Sequence, residues 1–211
     1  MAESKQLLET LHGKMRVCRL CLDAGYEIYP RAIFSGKVTA RMMVIGQAPG
    51  ITEQKAGRPF NAGSGKRLFQ WLAQAGIDET WFRTTQYMTS VTKCYPGPSK
   101  SGGGDRVPSR AEQRLCRPFL DGEISIVSPS LIIPVGRLAI GLFYPKSLKL
   151  TEIIGTSKVQ EGRVIVPLPH SSGASRWHQS SDNRLLIQQA IDLIAGQVRR
   201  LFPEGIPAGV D

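Results

Sequence analysis

Four short apolar runs punctuate the chain: Met42 to Ile45, Gln86 to Thr92, Leu131 to Val135 and Val164 to Leu168. Their length and β-branched content mark them as buried strands. Helical spacing lies between them. Residues 3–17 place Leu7, Leu8, Leu11 and Met15 on one face, and residues 66–75 place Leu68, Trp71, Leu72 and Ala75 at i, i+3, i+4 and i+7. Gly76 follows as a helix stop. Ser109-Arg110-Ala111-Glu112 reads as a capping box that starts a helix carrying Cys116, with Pro118 expected to kink or restart it. Another helix holds Leu138, Ile140 and Leu142. A long last helix, about 182–201, turns Leu185, Leu186, Ile191, Leu193, Ile194 and Val198 inward. Residues 22–41 carry no clear period, and residues 96–109, with three consecutive glycines, read as a mobile loop. Strands alternating with helices predict an α/β fold with a mostly parallel sheet, whose ligands bind at the carboxyl ends of the strands.

The 211 residues fit a single domain, 1–211, with an N-terminal helix (1–17) and a frayed tail (203–211). Twenty-seven basic against 17 acidic residues leave a net charge of +10, which favours a polyanionic partner, nucleic acid before an anionic membrane. No run approaches the roughly 18 apolar residues of a membrane span, and the N-terminal pattern is amphipathic rather than that of a signal peptide. A cytoplasmic, nucleoid-associated protein is the expectation. Thiols there stay reduced, so the four cysteines call for a role other than disulfides. Cys18 and Cys21 form a C-x-x-C pair; Cys94 and Cys116 are distant. Four such ligands suit a [4Fe–4S] cluster or a structural zinc, with inert buried thiols as the plain alternative.

The stretch after the first strand holds the densest chemistry. Gly46-Gln47-Ala48-Pro49-Gly50 is a small-residue loop that lets a ligand approach the backbone. Glu53 is an acid inside it, and Phe60 is a large aromatic where a loop is normally polar. His170 follows the fourth strand, with Ser171 and Ser172 behind it.

Taken together these residues resemble the iron–sulfur uracil-DNA glycosylases, families 4 and 5 of that superfamily, over about residues 14–195. Gly46-Gln47-Ala48-Pro49-Gly50 is similar to the first active-site motif, G-E-A-P-G, and Gly57-Arg58-Pro59-Phe60 to the G-R-P-F segment, whose Phe stacks on the extruded uracil. Lys93-Cys94-Tyr95-Pro96 is similar to K-C-R-P, Cys116-Arg117-Pro118-Phe119-Leu120 to C-R-P-Y-L, and His170 with Ser172 to the second active-site motif, H-P-S or H-P-A. The resemblance implies a three-layer α/β/α sandwich with a four-stranded mostly parallel sheet. It also implies a cluster rather than zinc on Cys18, Cys21, Cys94 and Cys116.

It further implies a monofunctional glycosylase, a monomer acting on DNA that contains uracil or another deaminated base. His170 would hydrogen-bond the departing uracil, Glu53 would position or activate water, and Phe60 would replace lost stacking. Gly46, Ala48, Pro49, Gly50, Ser90 and Ser172 would line the base pocket. Lys66, Lys93, Arg110 and Arg176 would hold phosphates, and Arg176 or Trp177 would plug the duplex. The sequence departs from the pattern at three places. Gln47 stands where Glu is usual and cannot take a proton, Ser90 stands where Asn reads the uracil edge, and Ser171 replaces Pro. A divergent branch with broader substrates, such as deaminated purines, is one consequence. Two other functions remain: a protein that binds or traps uracil-containing DNA without turnover, and a metal-stabilised nucleotide-binding protein. With only His12, His170 and His178, and none of them in the 96–109 loop, covalent trapping finds no nucleophile.

Overall fold

The computed structural model describes residues 2–100, 102–172 and 177–206. In chain order the elements are α1 (Ala2–Arg16), α2 (Leu20–Asp23), β1 (Met42–Gly46), α3 (Ile51–Ala56), α4 (Gly63–Gln74), α5 (Glu79–Thr85) and β2 (Tyr87–Ser90). There follow α6 (Arg110–Val127), β3 (Leu131–Pro134), α7 (Arg137–Ile140), α8 (Leu150–Ile153), β4 (Lys158–Gln160), β5 (Arg163–Ile165) and α9 (Ser181–Leu201). The sheet order is β2-β1-β3-β5-β4, parallel except for the β4–β5 pair.

Alternation along the central strands builds the three layers. Met42 and Val44 of β1 join Leu131 and Ile133 of β3 in a core with α4, α5 and α9. Met43 and Ile45 join Ile132 and Ile165 in a second core with α1 and α6. β1 and β3 are buried on both sides, which is why each reads as an unbroken apolar run rather than an alternating one.

The fifth strand corrects the expected four. Lys158–Gln160 is an edge segment with Val159 72% exposed, so it carries no hydrophobic signature. Its place comes from a tight turn at Glu161 and Gly162, both at positive φ (50° and 75°), the geometry that joins antiparallel strands. The α6 helix is a second correction. It runs unbroken from Arg110 to Val127 through Pro118. Proline removes the bond to the carbonyl four residues back, and Arg114 lies on the exposed face where water can take that bond. Leu185 does not turn inward; it is exposed, and so is Leu7. The expected capping box is present, with the Glu112 N–H donating to Ser109 Oγ (3.2 Å) and the Ser109 N–H to Glu112 Oε2 (2.7 Å). Among the described residues no helix is long and apolar enough to cross a membrane.

Candidate active site

A cleft of about 410 Å³ opens at the carboxyl ends of β1 and β2. The loop after β1 forms one wall: Gly46, Gln47, Ala48, Pro49, Gly50 and Glu53 all reach it. Phe60, Ser90, His170 and Ser172 reach the same cleft from three other segments. Ten residues singled out from the sequence thus share one cavity.

Glu53 is buried and bonded on both oxygens. Oε2 accepts from the Gly50 N–H (3.1 Å) and the Thr52 hydroxyl (2.9 Å), and Oε1 accepts from the Asn61 N–H (2.9 Å). The carboxylate ties both ends of the loop together across α3. Phe60 sits just before Asn61 with φ 49°, a left-handed conformation that costs a bulky residue energy. Arg83, which sequence reasoning missed, holds it there: its guanidinium donates to the Pro59 carbonyl (2.9 Å) and the Phe60 carbonyl (2.6 Å). The Phe60 ring edge lies against Gly46, and its carbonyl approaches Gly65 so closely that a Cβ there would sit 1.9 Å away. The Arg83 bonds, with the missing side chains at Gly46 and Gly65, thus hold one strained aromatic at the cleft.

His170 is set by its own loop. The Ser172 N–H donates to Nδ1 (3.2 Å), which makes Nδ1 the acceptor and leaves the proton on Nε2. Burial holds the imidazole pKa below its ordinary 6.5, so the ring is neutral at pH 7. Gly136 (φ 84°) gives the ring room; a Cβ there would stand 2.9 Å from it. Arg67, also missed, donates to the Ser171 and Ser172 carbonyls (3.4 and 3.1 Å) and pins the loop from behind. No sequence spacing links Arg83 or Arg67 to the residues they hold, so no pattern would have found them.

Ser90 is buried, and its hydroxyl donates to the Thr92 carbonyl (2.7 Å). Its proton is committed, so it offers the cleft only acceptor lone pairs. Gln47 lines the cleft half-buried.

The phosphate-contact expectations divide. Lys66 and Arg110 are exposed, at the starts of α4 and α6. Lys93 is corrected: only 2% exposed, it forms an ion pair with the fully buried Glu123 (2.7 Å) behind the cleft and cannot reach a phosphate. Thr89 and Tyr87 donate to the same carboxylate (3.0 and 3.1 Å), and His12 Nε2 lies 2.6 Å from the Tyr87 hydroxyl. Its sequence neighbours gave Lys93 no apolar signature, and only packing against α6 reveals the pair. Trp177 packs half-buried against the α4–α9 core. Arg176 lies outside the described residues.

The four cysteines line a second, largely apolar cavity between the end of α1, the segment after β2 and α6. Burial pushes the Cys94 thiol up to about 12 and Cys21 to about 11, and in each the neighbouring cysteines add to the rise. Crowded thiols in such a place become thiolates only when a cation compensates them. The Lys93 N–H donates to Cys116 Sγ (3.3 Å). Among the described residues the side chains do not close on a common metal centre. The donor set nonetheless suits a soft, thiolate-ligated group.

Within the 96–109 loop, residues 97–99 pair with residues 104–106 in antiparallel fashion. Ser99 N–H donates to the Gly104 carbonyl (2.8 Å), Arg106 N–H to the Gly97 carbonyl (3.0 Å), and Pro98 pairs with Asp105. It brings Asp105, unnoticed in the sequence, to the cleft.

Comparison with known proteins places these features. A sequence model of the uracil DNA glycosylase superfamily matches residues 34–194. The chain is 27% identical to the type-4 uracil-DNA glycosylase of Thermotoga maritima, over 89% of this chain and 93% of that protein. It is 30% identical to the type-4 uracil-DNA glycosylase of Pyrobaculum aerophilum over 74% of this chain and 76% of that protein. The protein of the same description from Sulfurisphaera tokodaii is 32% identical over 66% of this chain and 63% of its own length.

Proposed function

Because the chain belongs to the uracil DNA glycosylase superfamily, we propose that it hydrolyses the N-glycosidic bond of uracil in DNA and leaves an abasic site. The observation that carries this reading is the His170 tautomer: a neutral ring whose one donor is Nε2–H, on a residue that lines the cleft with Phe60, Glu53 and Ser90. As the bond breaks, negative charge gathers on the uracil oxygens. A preorganised neutral donor stabilises that charge without being neutralised by it. Extruding the base forfeits its stacking, and the Phe60 ring offers a replacement surface.

Ser90 supports a rule for choosing bases. Deamination turns the N3 acceptor of cytosine into the N3–H donor of uracil, and the N1 acceptor of adenine into the N1–H donor of hypoxanthine. A hydroxyl that can only accept matches the deaminated partner and meets a lone pair on the normal one. Such a mismatch costs about 1–3 kcal/mol. Uracil is the expected substrate, with hypoxanthine accepted more weakly.

A [4Fe–4S] cluster, with structural zinc as the alternative, would be held by Cys18, Cys21, Cys94 and Cys116. Its chemistry there is to fasten α1, the segment after β2 and α6 to one another. Lys66 and Arg110, with the net charge of +10, would supply affinity for the phosphate backbone. The protein would work as a monomer in the cytoplasm, at the nucleoid.

The test is incubation with DNA carrying one uracil, hypoxanthine, xanthine or cytosine, followed by alkali to break abasic sites. Strand breaks at uracil that fall about 10²–10³-fold in His170→Ala support the reading. Binding without strand breaks would make the protein a recognition factor instead.

A further inference from the structure

We infer that Asp105 is a catalytic carboxylate of this site, holding the water that attacks the sugar, while Glu53 is a positioning residue. The inference rests on the glycosylase reading above.

The geometry begins at Gly50. A point one Cβ bond from its Cα lies 2.6 Å from Asp105 Oδ2 and 2.9 Å from Glu53 Oε2. An oxygen of each carboxylate thus lies beside the same glycine. Both belong to the cleft that holds His170 and Gln47.

Their engagements differ. Glu53 is buried and accepts three hydrogen bonds from its own loop. Those lone pairs hold two backbone N–H groups and the Thr52 hydroxyl. Asp105 is exposed, lines the cleft and accepts from the Tyr95 hydroxyl. That hydrogen bond orients the carboxylate, and its exposure leaves accepting capacity for water.

The backbone of Asp105 is also fixed. Its neighbour Arg106 donates two bonds to Glu112 (2.8 and 2.7 Å) and one to the Glu27 carbonyl (2.9 Å). Glu112 is itself buried and caps α6. The acid is thus carried on a clamped hairpin base, with the three glycines on the tip side.

Position 47 explains why a second acid matters. Gln47 can orient water but cannot accept its proton, and Glu53 is occupied. In the step, a lone pair of the water oxygen bonds to C1′ as the C1′–N1 electron pair leaves with uracil. The water proton passes to the Asp105 carboxylate and then to solvent. The uracil anion, hydrogen-bonded by His170, is protonated from solvent on release.

The test uses the protein as isolated with its metal complement, under single-turnover conditions on uracil-containing DNA. Asp105→Asn preserves shape and the Tyr95 contact; it should slow excision by about 10²-fold or more, with DNA affinity unchanged within about twofold. In Asp105→Ala, added formate should restore part of the rate, which a merely structural role would not allow. Glu53→Gln should lower thermal stability, and formate should not rescue it. Asp105→Asn within about threefold of the wild-type rate, or no formate rescue of Asp105→Ala, would overturn the assignment while leaving the glycosylase reading intact. Wild-type protein that releases no uracil would overturn both.

Discussion

At His170 the Ser172 N–H occupies Nδ1, and burial lowers the pKa below 6.5. The donor role needs the neutral ring. Protonation would send the second N–H against Ser172 N–H and break the bond that aims the ring. The sign follows directly: the folded pKa is depressed, so the working form persists as pH falls past 6.5 and is lost only as pH drops through the lower value. The acid limb of the excision rate is therefore expected below pH 6.5, measured on the enzyme–DNA complex. A limb above 6.5 would contradict the burial argument. His170, Phe60 and Glu53 were legible because residue type and neighbours mark them. Arg83 and Asp105 were not, since an arginine in a helix and an aspartate after glycines are ordinary surface patterns.

At the scale of elements, the pair between Lys93, just beyond β2, and Glu123 of α6 shows how a local reading misleads. A lysine beside a cysteine motif looks like a phosphate ligand. Here it neutralises a carboxylate with no exposure and donates to Thr89 Oγ (2.8 Å) and the Ser90 carbonyl, backing the wall of the cleft. Lys93→Met should destabilise the fold by about 3–5 kcal/mol, because Glu123 is left charged and unpaired. Lys93→Met combined with Glu123→Leu should regain most of that loss in urea unfolding. Neither variant should change the salt dependence of DNA binding. Strand β4 was invisible for a related reason: an edge strand with one exposed face and two intermediate residues has no hydrophobic period, and only its turn and partner define it.

Across the whole molecule, the net charge of +10 predicts strong salt dependence of DNA affinity. Lys66→Ala, removing one exposed charge at the start of α4, should reduce the slope of log K against log salt by about 1 and affect all sequences alike. An unchanged slope would remove Lys66 from the interface. The sequence by itself determined the layered α/β class, the carboxyl-edge location of the cleft and ten of the residues that line it. Strand burial, helix period and loop composition are local properties written in neighbouring residues. Tertiary structure alone decided which tautomer His170 adopts, which way the Ser90 proton points, which group Lys93 neutralises and that Asp105 meets Glu53 beside Gly50. Each of these depends on a hydrogen-bond partner or an approach far away in the chain, and distance along the chain carries no record of distance in space.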